Sequence, residues 1–239
     1  MINKESLASR LEVTLLKADA TPQDIYQMAH QADQLGCASV CVNGVYVAQV
    51  ANQLQGSQTH LGAVADYPLG SSKATIKAIA ATTLAKDGAT QINIVAHLPH
   101  LLRADLQAAK ADLIQVTKAV RSYRSDTLIK VIIHAHALLA GVSQDQGQHR
   151  LAIACQAVRE IGGDFIKTAP EAHQSAAKSI PIIQSLKTHA MGLYLQASSP
   201  IKTYHQAAQL IQAGADQLAS PYAFEILRDC SPANTGKIS

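Results

Sequence analysis

Two lysines stand inside apolar, β-branched runs, Lys130 in Leu128-Ile129-Lys130-Val131-Ile132-Ile133 and Lys167 in Asp164-Phe165-Ile166-Lys167-Thr168. Burying an ammonium is costly unless it is paired or deprotonated. Burial and a cationic neighbour each lower a lysine pKa, and the neutral amine is the nucleophile that Schiff-base formation needs. Two lysines on neighbouring strands can supply both effects to one another. The ordinary alternative is that each amine reaches a rim or pairs with a carboxylate. His134 and His136, two apart at a strand end, offer a zinc-type spacing, and His97 follows another run. No acidic third ligand is fixed by spacing, although Glu12, Asp66 and Glu171 could serve, so no metal site is assigned. Cys41 alternates with Ser39 and Asn43, so the three can face one way, while Cys37 suits core packing.

Such groups need a scaffold. Short apolar runs recur at Leu11–Leu15, Ala38–Val42, Leu61–Ala65, Gln91–Ala96, Ile129–His134, Asp164–Thr168, Gly192–Ala197 and Asp216–Ser220. Amphipathic segments such as Pro22–Leu35, Ser72–Lys86 and Tyr204–Ala213 lie between them. Strands alternating with helices predict a parallel sheet, and eight such units close a barrel. Thr21-Pro22, with Asp24 in the first turn, reads as a helix start, and Gly36, Gly88 and Gly214 read as helix ends. No glycine-rich phosphate turn follows an early strand, which argues against a doubly wound open sheet. The predicted architecture is one α/β domain, a (β/α)8 TIM barrel over residues 1–230, with a polar tail over 231–239. In a closed parallel barrel the C-terminal strand ends carry the site.

The 239 residues suit one such barrel, and 48% hydrophobic against 15% charged residues suit a large core. A formal charge of +3, from scattered lysines and arginines, is weak for nucleic acid, so a small-molecule partner is expected. Four cysteines without a C-x-x-C pair point to a reducing, cytoplasmic setting. No signal core or membrane-length apolar stretch is found. No cofactor is called for.

From about Leu11 to Leu227 the chain resembles the deoxyribose-phosphate aldolase family. Leu11-Glu12-Val13-Thr14-Leu15-Leu16-Lys17-Ala18-Asp19-Ala20-Thr21 resembles the family's LDHTLLKPDAT strand, and Ala38-Ser39-Val40-Cys41-Val42-Asn43 its ASVCVN strand. Tyr67-Pro68-Leu69-Gly70 resembles FPLG, Lys130-Val131-Ile132-Ile133 resembles KVIIE, and Gly163-Asp164-Phe165-Ile166-Lys167-Thr168 resembles ADFVKTSTG. The resemblance implies a class I aldolase on this barrel, a lyase of deoxyribonucleotide catabolism that cleaves 2-deoxy-D-ribose 5-phosphate to glyceraldehyde 3-phosphate and acetaldehyde. It puts the Schiff base on Lys167, with Lys130 as the neighbouring strand lysine and Cys41 in the pocket. It also implies substrate contacts from Glu12, Thr14, His134, Thr168, Ser198, Ser199, Lys202 and Ser220, and a homodimer.

Several departures fall on functional positions. The family's relay aspartate aligns with Asn93, which cannot exchange a proton near neutral pH. Its second active-site lysine, in GVKASGGIRT, aligns with Gln196. Glu12 replaces an aspartate and His134 a glutamate. Ser199-Pro200 replaces paired glycines, Thr168-Ala169-Pro170-Glu171 replaces a glycine-bearing turn, and Pro221 follows Ser220, all of which reduce the backbone N–H groups open to a phosphate. Lys202 stands at the family's arginine position. Three readings follow: a working aldolase slowed by Asn93 and Gln196, a Lys167-dependent lyase on a different carbonyl substrate, phosphorylated or not, and a degenerate barrel that binds without catalysis.

Overall fold

Parallel strands pair each with the next in sequence, and the last returns to the first, closing a barrel of eight. The computed structural model describes residues 2–169, 176–198 and 200–230. The strands are β1 Leu11–Leu15, β2 Ser39–Val42, β3 His60–Ala65, β4 Gln91–Val95, β5 Leu128–Ile132, β6 Phe165–Lys167, β7 Tyr194–Ser198 and β8 Gln217–Ser220. All eight fall within or beside the runs read from the sequence.

Local chemistry accounts for the helices. Helix Pro22–Gln34 starts at a full capping box: the Thr21 side chain accepts from the Asp24 N–H, and Asp24 accepts from the Thr21 N–H. Gly36, Gly88 and Gly214 take positive φ values of 67°, 110° and 115° just past helix ends, a region open to residues without a Cβ. The faces of these helices pack against the outward side chains of the strands, among them Val13, Val40, Ile92, Ile129, Val131, Ile166 and Leu195, in one apolar cluster.

One strand ends earlier than its sequence suggests. The run Ile129–His134 predicted a strand through His134, but β5 stops at Ile132 and His134 adopts a left-handed φ of 49° before helix Ala135–Leu139. An L-residue in that conformation cannot continue a ladder. His134 and His136 therefore do not share a strand face.

The register sets the interior. Glu12 lies beside Ser39 and Ala219, Asn93 beside Lys130, Lys130 beside Phe165, and Lys167 beside Gln196. Alternation along each strand turns these side chains inward while their neighbours join the outer core. Ser199, Glu171 and the tail 231–239 lie outside the described residues.

Candidate active site

A carboxylate on β1 gathers two amines from the far side of the barrel. Glu12 Oε1 accepts from Lys167 Nζ at 2.5 Å, and Oε2 accepts from Lys130 Nζ at 2.9 Å. Glu12 and Lys130 are 0% exposed and Lys167 3%. Asn93 Oδ1 accepts a second hydrogen bond from Lys167 at 2.8 Å, and its Nδ2 donates to Cys41 Sγ at 3.5 Å. Lys130 also donates to Gln217 Oε1 at 3.0 Å and lies 4.6 Å from the centre of the Phe165 ring, in cation–π contact. Ser39 Oγ completes the shell on Glu12 at 3.3 Å.

Charge explains why these groups meet. One carboxylate can neutralise one ammonium, and the barrel interior supplies two amines. Burial depresses Lys130 below its ordinary value, an effect that Glu12 opposes and Lys167 reinforces. Burial alone would push the Glu12 carboxyl up, but the adjacent Lys130 and Lys167 outweigh it and hold Glu12 well below the usual carboxylate range. Glu12 is thus a fixed negative charge. Burial pushes the Cys41 thiol up to about 12, with Glu12 adding to the rise, so Cys41 is a protonated thiol and no nucleophile at neutral pH.

Lys167 alone of this cluster opens onto a cavity of about 260 Å³ at the C-terminal strand ends, with Thr14, Lys17, Tyr67, Ser198 and Pro221 among its lining residues. Glycine makes room beneath it. A Cβ on Gly62 would stand 3.1 Å from the Val40 carbonyl oxygen and 3.2 Å from Asn93 Nδ2. A side chain there would press on the amide that holds Lys167.

The sequence-predicted residues divide three ways. Lys167, Lys130, Asn93, Glu12 and Cys41 form one hydrogen-bonded cluster, and Thr14 and Ser198 line the cavity above it. Gln196 is buried beside Lys167 in the register, donates to Gln217 at 3.4 Å and leaves its Oε1 without a partner. The rest serve elsewhere. Thr168 Oγ1 bridges to the Ser198 backbone, Ser220 Oγ donates to Ile201 O and accepts from Tyr222 N, and Lys202 is exposed over the Tyr222 ring. His134 Nε2 contacts Pro68 O at 3.1 Å, and His136 Nε2 lies 3.5 Å from Ser179 Oγ. Among the described residues, no three His, Cys, Asp or Glu side chains converge as a metal set would. Sequence reasoning passed over Tyr67, Lys17 and Gln217 as site residues. The first two lay within quoted motifs, and the inward period of β8 would have found the third.

No family model matches the chain. Among curated proteins, the deoxyribose-phosphate aldolase of Mycobacterium avium (strain 104) is 31% identical over 217 residues, covering 90% of this chain and 92% of that protein. The chain belongs to the deoxyribose-phosphate aldolase family. The Caldicellulosiruptor saccharolyticus deoxyribose-phosphate aldolase is 28% identical over 228 residues, 95% of this chain and all of that protein. The tetrameric deoxyribose-phosphate aldolase structure from Aeropyrum pernix, 24% identical, covers 95% of this chain and 91% of its own with a TM-score of 0.83, a likeness of fold. As a deoxyribose-phosphate aldolase family member the chain is an aldolase-type lyase, and the barrel predicted from its sequence is the family's barrel. In the described residues, no helix is long and apolar enough to cross a membrane.

Proposed function

We propose that this chain is a class I aldolase whose Lys167 forms a Schiff base with 2-deoxy-D-ribose 5-phosphate and releases glyceraldehyde 3-phosphate and acetaldehyde. The observation that carries the reading is that Lys167, alone of the buried amines, lines a cavity at the C-terminal strand ends while Glu12 and Asn93 fix its direction. A positioned amine loses less freedom on attacking a carbonyl than a mobile one.

In this reading the neutral Lys167 amine adds to the aldehyde carbon, and the carbinolamine loses water to give an iminium. The iminium accepts the electron pair of the C2–C3 bond as that bond breaks, and the 3-hydroxyl gives up its proton. Protonation of the enamine carbon and hydrolysis then release acetaldehyde and restore the amine. Glu12 and Lys130 tune charge beneath the reacting nitrogen, and Cys41 packs against Asn93. Lys17 at the cavity mouth suits the anionic end of the substrate. A homodimer is proposed with this function, to be checked by sedimentation.

A second reading has its own support. Thr168 and Ser220 hydroxyls are used internally, and Pro221 lines the cavity without an N–H to offer. At about 260 Å³ the cavity lies just below the range of roughly 300–1,000 Å³ typical of small-molecule pockets. A short unphosphorylated aldehyde is the substrate in that case. Borohydride reduction during incubation, followed by peptide mass spectrometry, separates the two. An adduct on Lys167 from 2-deoxy-D-ribose 5-phosphate supports the first, and an adduct only from unphosphorylated aldehydes supports the second. Absence of any Lys167 adduct, with no turnover, ends both.

A further inference from the structure

The Schiff-base reading needs protons moved at least three times, and the one amine of the buried cluster besides Lys167, Lys130, is held by Glu12 and Gln217 outside the cavity lining. Glu12 is held ionised, Asn93 does not titrate, and the Cys41 thiol keeps its proton. Among the described residues the titratable side chains lining the cavity are Lys17, Tyr67 and Lys167. Lys17 is exposed on the segment after β1 and lines the cavity. Tyr67 stands deeper, packed against Val95, Ile132 and Ala169. Its position in Tyr67-Pro68-Leu69-Gly70 is that of phenylalanine in the FPLG motif this segment resembles, so the hydroxyl is an addition to that motif.

The turn that carries Tyr67 is held firmly. Asp66 takes a left-handed φ of 54°, its carbonyl accepts from Gly70 N at 2.8 Å, and its carboxylate accepts from Ser72 N and Oγ at 3.0 and 2.7 Å. Fully buried Lys77 lies 3.8 Å from Asp66 and donates to Asp112 and Val95 O at 2.8 and 2.9 Å. Gly70 has φ 64°, and a Cβ there would stand 2.7 Å from Ala96 O. Phenylalanine would fill the same hydrophobic seat, so packing does not call for an oxygen.

We propose that Tyr67 is the general acid–base of this active site, its phenol exchanging protons with the intermediates formed on Lys167. This rests on the Schiff-base reading above. The phenol first protonates the carbinolamine oxygen, the C–O bond breaks, water leaves and the nitrogen lone pair closes the iminium. The resulting phenolate takes the 3-hydroxyl proton as the C2–C3 pair moves to the iminium nitrogen. The regenerated phenol protonates the enamine carbon, and the phenolate recovers its proton from the water that hydrolyses the iminium. Each proton given is returned within the cycle. Burial raises the Tyr67 hydroxyl above its ordinary value of 10.0, Lys167 on β6 opposing the rise and Cys41 on β2 adding to it. The phenol is therefore protonated at neutral pH, as the first step requires. Asp66 in the same turn, Lys17 after β1 and His134 beside Pro68 are further charged or titratable groups around it.

Tyr67→Phe keeps the ring and deletes the oxygen. With 2-deoxy-D-ribose 5-phosphate as probe, kcat is expected to fall about 100-fold while KM stays within about threefold. Borohydride trapping at Lys167 becomes slower but not absent, and Asn93→Asp added to Tyr67→Phe restores part of kcat. Incorporating 3-fluorotyrosine at position 67 guards against a folding defect, because its more acidic phenol is expected to move the kcat–pH profile to lower pH. A Tyr67→Phe enzyme with kcat within about twofold of the parent, or a loss expressed in KM alone, overturns the role while leaving the Schiff base intact. An unmoved profile with 3-fluorotyrosine does the same. A parent protein that yields no Lys167 adduct with any carbonyl overturns both this role and the Schiff-base reading.

Discussion

At the scale of single residues, the chemistry of this barrel is a problem of unequal charge. Glu12 serves two amines, so its removal leaves both without a counter-ion in a dry interior. Breaking a buried pair in this way costs about 3–5 kcal/mol, whereas an exposed pair costs about 0–1 kcal/mol. Glu12→Gln is therefore expected to lose about 3–5 kcal/mol in denaturant unfolding at neutral pH. A loss of less than about 1 kcal/mol would mean that the amines are already neutral without it. Two other positions invite repair. Gln196 is buried with an orphaned oxygen beside Lys167, and Asn93 holds Lys167 without being able to titrate. The double change Gln196→Lys with Asn93→Asp adds a cation and an acid together, and is expected to raise the aldol cleavage rate. A lower rate in steady-state assay would show a pocket rebuilt around other proton donors, Tyr67 foremost.

At the scale of elements, small residues decide how closely strands and turns approach the lysine. Gly62 on β3 leaves the space in which the Asn93 amide bonds both Cys41 and Lys167. Gly62→Ala requires a shift of a few tenths of an ångström, and is expected to cost about 1–3 kcal/mol of stability. Catalysis should suffer more, by about 10-fold or more in kcat, because the displaced amide frees the nucleophile. Equal kcat in the alanine variant would show that Glu12 alone orients Lys167. Behind the Tyr67 turn, Asp112→Asn removes the close partner of Lys77, and about 3–5 kcal/mol of destabilisation is expected by thermal or denaturant unfolding.

At the scale of the whole molecule, the cluster sets the response to acid. Glu12 has its pKa lowered from an ordinary value of 4.5, so it contributes stability that is complete above that pH and fades as pH falls toward its folded value. Lys130 is also lowered, from 10.5, so the folded state resists its protonation and gains stability as pH rises through the alkaline range. Both effects point the same way, and unfolding free energy is expected to decrease steadily on acidification below about pH 4.5. Urea titrations at several pH values check this, and Glu12→Gln should flatten the acid limb. The barrel is closed by β1 against β8, which puts Glu12 across the interior from both lysines, so barrel opening and loss of the ion cluster are expected in one transition.

The strands, helix caps and barrel were legible in the sequence because period, punctuation and unit count are local properties. The capping box at Thr21 and the glycines at 36, 88 and 214 were readable from residue type alone. Lys130 and Lys167 also stood out, since an amine in an apolar strand is conspicuous wherever it is placed. What the chain order could not convey was pairing across the barrel. Glu12 and Lys167 are 155 positions apart, and only closure of the sheet brings them to 2.5 Å. Tyr67 was hidden for a different reason: it looked like an ordinary aromatic in a motif, and only the turn held by Asp66 and Lys77 directs it into the cavity. Residue types thus determined which groups were available, and long-range packing decided which of them face one another, because burial and charge are balanced over the folded whole.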